Sequence, residues 1–365
     1  MSPSPVHAGR WLAFFQLSLG VAAMLASSGC VSQIVAKRIV KAPNLQGVPR
    51  LLRDQKTLDA TDGLFAHTWR LPIASPAAEL SVSVLNPGMV TFKHSLEEKP
   101  RPDGKGATLA YSFQWEKAKT PPEQPAIKAT LVLLHGIMMT KETLLPWALY
   151  FAQEGYRVVL VDLRGHGRST GEWIGFGAWE AGDLVALTDD LERRGLIAGK
   201  LGVFGISYGA VMGIHWTARD PRVAALVALA PFSDPQKAIV DFARGVMPKL
   251  AAKLSDATFA LAEEKAAALA GFKWSDVSVV EATKRLGVPV LFFHGKNDSW
   301  IPPRHSAELM RVAQKGSRRG LSDDDHMTIA VRLDLIGREA AAWFGEKLGG
   351  GTPATAPVPA TAMQQ

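Results

Sequence analysis

The feature that most constrains this chain is a series of short, almost uninterrupted apolar runs separated by helical sequence. They are ATLVLLHG (129–136), YRVVLVD (156–162), LGVFG (201–205), VAALVALAP (223–231) and VPVLFFHG (288–295). A strand with one face in water alternates polar and apolar residues. Runs that are apolar on both faces must be covered on both, which is the condition of a parallel sheet. The intervening segments carry the 3.6-residue period. LLPWALYFAQEG has Pro146 near its start and Gly155 past its end, and WEAGDLVALTDDLERRG sets Leu184, Leu187 and Leu191 on one face before Gly195. PRHSAELMRVAQKG is a further helix, and TIAVRLDLIGREAAAWFGEKL is predicted as one closing helix with Ile329, Leu333, Ile336 and Ala340 on its stripe. The expected fold class is therefore α/β, a mostly parallel sheet with helices on both faces. Ahead of it, SVSVLNPGMVTFKHS and ATLAYSFQW read as an antiparallel hairpin.

The alternation breaks once. Between Pro231 and Val288 the sequence is Ala-, Leu- and Lys-rich, with no strand. We read 232–287 as a helical cap that leaves and rejoins the sheet at its carboxyl edge, where open α/β folds bind ligands. The organisation expected is a signal peptide over 1–29, a lipid-anchored tether or peripheral segment over 30–80, the α/β domain over 81–347, and a disordered low-complexity tail over 348–365.

Hydrophobic residues make up 47% and charged residues 21% of 365, enough for a sizeable core and against wholesale disorder. The net charge of +7 is partly local, with Lys37, Arg38, Lys41, Arg50, Arg53 and Lys56 set against Asp54 alone. No nucleic-acid-binding motif accompanies them, so a nucleic-acid partner is not expected. A segment near anionic headgroups and a merely solvated basic linker both remain open. Before Lys37 the only charged residue is Arg10, followed by the apolar run Trp11 to Ala26, the small residues Ser27, Ser28 and Gly29, and Cys30, the single cysteine. That order describes an export signal. ASSGC resembles the lipobox of bacterial lipoproteins, with Ser27 where that pattern has an aliphatic residue. The resemblance implies a lipidated Cys30 and an envelope membrane as partner. A signal-anchor helix and a cleaved, unlipidated signal are the alternatives.

Three motifs carry candidate chemistry. G-I-S-Y-G (205–209) lies between a strand and an apolar helix, where a strained turn lifts a serine hydroxyl clear of the sheet. Ser207 is the candidate nucleophile. An oxyanion needs two N–H donors, and Tyr208 and Ile137 are the candidates, the latter in LLHGIMM after the strand 129–136. His135 reads as a brace for that loop. Asp298, in FFHGKND, and His326, in SDDDHM, are the candidate acid and base, since of nine histidines only His305 and His326 follow Asp298 and His305 falls on a helix. The run Asp323–Asp325 reads as a solvated loop, with support for the imidazolium or a substitute acid as alternatives, and no metal cluster is in view.

The set HGIMM, DLRGHGRSTG, GISYG, HGKND and DHM, in that order, resembles the α/β-hydrolase superfamily over residues 80 to 347, in particular the serine aminopeptidase S33/monoglyceride-lipase-like and dienelactone-hydrolase-like branches. The resemblance implies a Ser207–His326–Asp298 triad acting through an acyl-enzyme without a cofactor, and a structural role for residues 162–171. Met138, Trp173, Trp300 and Phe242 are candidate pocket residues, with Trp179 and Trp274 also near its rim; each could equally be packing. The expected substrate is a small ester with an apolar acyl group. A peptidase acting on short peptides, with Glu263 and Glu264 as amine ligands, and a tethered non-catalytic binding protein are the alternatives. The oligomeric state is not legible.

Overall fold

The computed structural model describes residues 28–45, 61, 63–100, 107–119, 126–349 and 363–364. The export signal expected over 1–29 thus lies outside the described residues except for its last two, and most of the tail lies outside them as well.

Eleven strands are present among the described residues. Six form the parallel centre: β5 (Thr130–Leu134), β6 (Arg157–Val161), β7 (Leu201–Ile206), β8 (Val223–Leu229), β9 (Val290–Gly295) and β10 (Arg318–Ser322). β1 (His67–Ile73) and β2 (Ala78–Leu85) add an antiparallel flank, and β11 (Met363–Gln364) pairs with β10. The order is β1-β2-β6-β5-β7-β8-β9-β10-β11. From β5 the chain steps outward to β6 and then crosses back over β5 to β7. The loops leaving β5 and β7 therefore diverge, and a crevice opens between them at the carboxyl edge.

The central strands are buried on both faces, as their runs demand. One layer holds α1 (Ser28–Val40), α3 (Glu180–Arg193), α4 (Tyr208–Thr217) and the cap helix α7 (Asp256–Ala270). The other holds α2 (Leu145–Gln153), α10 (Arg338–Leu348) and the hairpin of β3 (Val90–Pro100) with β4 (Ala107–Lys117), a separate two-stranded sheet. The cap comprises α5 (Pro235–Val246), α6 (Pro248–Ala251), α7 and α8 (Val279–Lys284). Asp234 and Ser255 accept backbone N–H bonds at the starts of α5 and α7. α9 (Arg304–Val312) follows β9.

Four features depart from the reading of the sequence. First, the stretch expected to be a tether contains packed structure. α1 buries Ser32, Ala36 and Val40, its end bridges Lys41 to Trp173, and His67–Ile73 is an edge strand. β1 escaped notice because an edge strand with four exposed residues of seven shows no clean period. Second, SVSVLNPGMVTFKHS is two strands. The chain turns at Asn86–Pro87–Gly88, with Gly88 at φ +76°, so β2 joins the main sheet and only β3 pairs with β4. Third, the closing helix is broken: a 3-10 turn at Ile329–Val331 and a π turn at Leu333–Gly337 precede α10. Fourth, β10 (RRGLS) was not foreseen, because it carries two arginines and only one large apolar residue.

Candidate active site

The site is assembled from the ends of β5, β7, β9 and β10. At the end of β7, Ser207 has φ +53° and ψ −115° and immediately precedes the first turn of α4. A residue with a Cβ occupies that region at a cost, and the surroundings enforce it. The neighbouring glycines are required by contact. A Cβ on Gly205 would lie 2.5 Å from Gly209 O, and one on Gly209 would lie 2.2 Å from Leu134 O. The turn is thus clamped between α4 and β5. Ser207 N donates to Leu229 O at 2.7 Å, holding the elbow to the next strand.

Ser207 and Asp298, which precede His326 by 119 and 28 residues, come together with it here. His326 Nε2 lies 3.0 Å from Ser207 Oγ, and His326 Nδ1 lies 2.6 Å from Asp298 Oδ2. With Nδ1–H donated to the carboxylate, Nε2 is left as acceptor for the serine hydroxyl. The second carboxylate oxygen, Asp298 Oδ1, accepts from Trp300 N at 2.9 Å and Ile301 N at 2.8 Å. Burial by itself would raise the Asp298 carboxyl. Hydrogen bonds from His294 and His326, the adjacent imidazole charge and the Ile301 N–H outweigh it and hold the group at about 2. His294 is buried, and its Nε2–H donates to Ile301 O at 2.7 Å, so it braces the same turn. Its role was missed in the sequence because HGKND drew attention to the aspartate alone.

The loop after β5 lies against the nucleophile. A Cβ added at Gly136 would stand 3.7 Å from Ser207 Cβ, and Met138 takes φ +60° in the same turn. Tyr208 is the first residue of α4, where N–H groups have no intrahelical partner. Two anchors hold these donors. His135 is buried; its Nδ1–H donates to Gly136 O at 2.8 Å and its Nε2 accepts from Leu163 N at 3.0 Å. Burial lowers its pKa to about 4, so the ring stays neutral and braces the loop. The Tyr208 hydroxyl donates to Glu180 Oε1 at 2.9 Å, and the Glu180 carboxylate also accepts from Gly175 N and Gly177 N. In DLRGHGRSTG, Asp162 accepts from Lys141 N at 2.7 Å, Lys141 Nζ at 3.2 Å and Arg168 N at 3.0 Å, tying that loop to the segment after the turn that follows β5.

The candidate pocket residues divide. Trp300 stands with its ring centroid 5.5 Å from that of His326, and Phe242 of the cap meets Trp300 edge-on at 5.7 Å. Trp173 is elsewhere: its backbone bridges Lys41 and its side chain packs on the core, and none of its described contacts reaches the triad. The reason is that the segment 171–174 receives the end of α1, whose sequence has the pattern of a tether. Trp179 and Trp274 belong to an aromatic group with Phe176 and Phe272, and Phe176 in turn meets Tyr208 at 5.7 Å. Of the acidic run, Asp325 caps Met327 N and Thr328 N, Asp323 pairs with Lys296, and Asp324 is buried near Arg332. None of the three touches His326 through a described side-chain bond.

The fold is that of the α/β-hydrolases. Residues 125–270 match the family described as serine aminopeptidase, S33. Among curated proteins the chain is 26% identical over 244 residues to a bifunctional esterase/perhydrolase of Acinetobacter calcoaceticus, covering 53% of this chain and 86% of the relative. It is 28% identical over 184 residues to the uncharacterised Bacillus subtilis protein YqkD, covering 49% of this chain but only 58% of that protein's length. Among solved structures, the Pyrococcus furiosus esterase Pf2001 superposes with a TM-score of 0.54 at 19% identity, over 78% of this chain and 94% of that one. A 2,6-dihydroxy-pseudo-oxynicotine hydrolase does so with the same TM-score at 17% identity, over 91% and 83%. At these identities the structural likeness speaks to the fold.

Proposed function

We propose that this protein is a serine hydrolase that cleaves carboxylic esters with an apolar acyl group. The observation that carries the reading is the relay of Ser207 Oγ, His326 and Asp298, at 3.0 and 2.6 Å, at the strained elbow after β7. In this mechanism His326 Nε2 takes the Ser207 proton as Oγ attacks the ester carbonyl. Charge develops on the carbonyl oxygen and is met by the Tyr208 and Ile137 N–H groups. His326 then protonates the leaving alkoxide, and water, deprotonated by the same nitrogen, releases the acid. Asp298, pinned by two backbone N–H groups, keeps Nδ1 protonated throughout. Trp300 and Phe242 supply an apolar wall beside His326, which favours an acyl chain over a charged group.

For the peptidase alternative, the two glutamates offered as amine ligands are poorly disposed. Glu263 is buried and accepts from Gln236 Nε2 at 2.9 Å, while Glu264 is exposed one position along α7. The test is a fluorophosphonate probe followed by peptide mapping, then a panel of acyl esters against aminoacyl amides. Labelling confined to the Ser207 peptide with ester turnover is expected. Faster turnover of the amides would move the protein to the peptidase reading, and absence of labelling would favour a binding protein.

We further propose that the chain is exported and held on an envelope membrane through Cys30. The support is the apolar run 11–26 ahead of it and the exposure of Cys30 near the start of α1. The mass of the N-terminal peptide, acylated or not, tests this.

A further inference from the structure

Cys30, Ile34, Lys37 and Arg38 are exposed on α1, and their spacing of four, three and one places them on one side of the helix. The opposite side, Ser32, Ala36, Ile39 and Val40, is buried. It packs on cap helix α7, where Lys265 Nζ donates to Ser32 Oγ at 2.8 Å. The outward side has the chemistry of a helix lying in a membrane interface. Ile34 is one of only two exposed large apolar side chains among the described residues. Lys37 and Arg38 lie one turn further along the same side. Apolar residues of such helices enter the acyl boundary while basic ones meet anionic headgroups.

We infer that the outward side of α1 docks on an anionic lipid bilayer and thereby makes the cap the membrane-facing layer of the enzyme. The geometry transmits the contact. α1 is fixed to α7 on one side, and its end is tied to the body through Ala42 N to Glu172 O at 2.8 Å, Ile174 N to Val40 O at 2.8 Å and Asn44 N to Gly165 O at 3.0 Å. The helix therefore cannot rotate its basic side away without breaking these bonds. Helix α5 of the same cap carries Phe242, which meets the Trp300 beside His326. The hairpin β3–β4 belongs to the opposite layer and faces away from the bilayer in this arrangement. The inference rests on the membrane placement proposed above and not on the identity of the nucleophile.

The test uses the full chain with Cys30→Ser and one introduced cysteine carrying a bimane fluorophore. The label is placed at Ile34→Cys on α1 or at Lys93→Cys on β3. Vesicles of phosphatidylcholine and phosphatidylglycerol with brominated acyl chains act as the quencher. Quenching is expected at position 34 and not at position 93. The pair Lys37→Glu and Arg38→Glu should relieve it and lower the vesicle partition coefficient by about 25-fold or more, at roughly fivefold per basic residue. Equal quenching at the two positions, or quenching at 34 that survives the double reversal, overturns the inference even if the chain remains attached through its first residues. Acylation of Cys30 is read from the peptide mass of the unsubstituted protein, and activity is not part of the readout. Failure of docking is thus distinguishable from failure of the anchor or of the hydrolase reading.

Discussion

Two Ser–His–Asp clusters stand among the described residues, and only one of the two has the form of a catalytic relay. In the first, Ser207 meets His326 Nε2 and Asp298 meets Nδ1. In the second, Ser233 Oγ lies 2.8 Å from His305 Nδ1, and Asp241 Oδ2 lies 2.9 Å from His305 Nε2. The ring is used the other way round, and the serine hydroxyl is already committed, donating to Glu308 at 2.6 Å. Asp241 is further paired with Arg304. Ser233 is 2% and His305 0% exposed, against 8% for Ser207 and 9% for His326. Ser233 also lacks the positive φ that projects Ser207. The second cluster clamps cap helix α5 to α9. Composition alone does not make a nucleophile: a free lone pair on Nε2, an uncommitted hydroxyl and adjacent N–H donors do.

The sharpest break between the two is at the serines. Ser207→Ala should lower kcat/KM for an acyl ester by about 10⁴-fold or more, while Ser233→Ala should leave it within about threefold and lower the melting temperature. Comparable losses in both would mean that the clusters are not functionally distinct. At the acids, Asp298→Asn should cost about 10³–10⁴-fold in kcat by favouring the wrong imidazole tautomer. Asp241→Asn should cost stability, about 1–3 kcal/mol, because His305 and Arg304 lose their shared partner. Steady-state kinetics and urea unfolding on both variants decide the point. Asn at Asp325 should act on stability alone, through its two capped N–H groups.

A pH dependence follows from the first cluster. The Asp298 carboxyl is held at about 2 in the folded protein, below its ordinary 3.8. A depressed carboxyl contributes stability that is complete above the unfolded value and lost as pH falls through the folded one. The stability gap between the wild type and Asp298→Asn should therefore be constant at neutral pH. It should shrink by about 2 kcal/mol as pH drops from about 4 to about 2. Urea melts across that range measure it, and a gap independent of pH would contradict the assignment of the relay's charge. The smallest effect expected is at the cap. Phe242→Leu should change the ratio of kcat/KM between long and short acyl esters by about 5- to 10-fold. Loss of thermal stability with an unchanged ratio would make Phe242 packing and move specificity to Trp300.

The parallel sheet and the three candidate residues that the fold brings together were legible because each rests on local sequence. Strands buried on both faces have no polar residues, and a nucleophile elbow needs two glycines at fixed spacing around the serine. His326 could be separated from His305 because a helical position does not suit a base that must turn toward Asp298. What escaped was non-local. β1 reads as loop because it lies at the sheet edge, and α1 reads as linker because its partner, α7, lies more than 200 residues away. The Ser233 cluster joins three segments with no motif among them. Trp173 was misplaced for the same reason, since the segment that claims its backbone had not been recognised as structure.

The seating of α1 on α7 bears on how the protein can be cut. A recombinant chain begun at β1, the first strand of the sheet, would look like a clean domain. It would lose Ala36, Ile39 and Val40 from the core and the strap that holds residues 165–174. It would also uncover α7, an alanine-rich helix (DATFALAEEKAAALA), on the side it turns to α1. Small side chains suit the close approach of a second helix but leave a poor outer surface, so the shortened chain should aggregate or melt early where one begun at Ser28 stays soluble. The folded unit therefore extends at least to α1, some forty residues before the first strand.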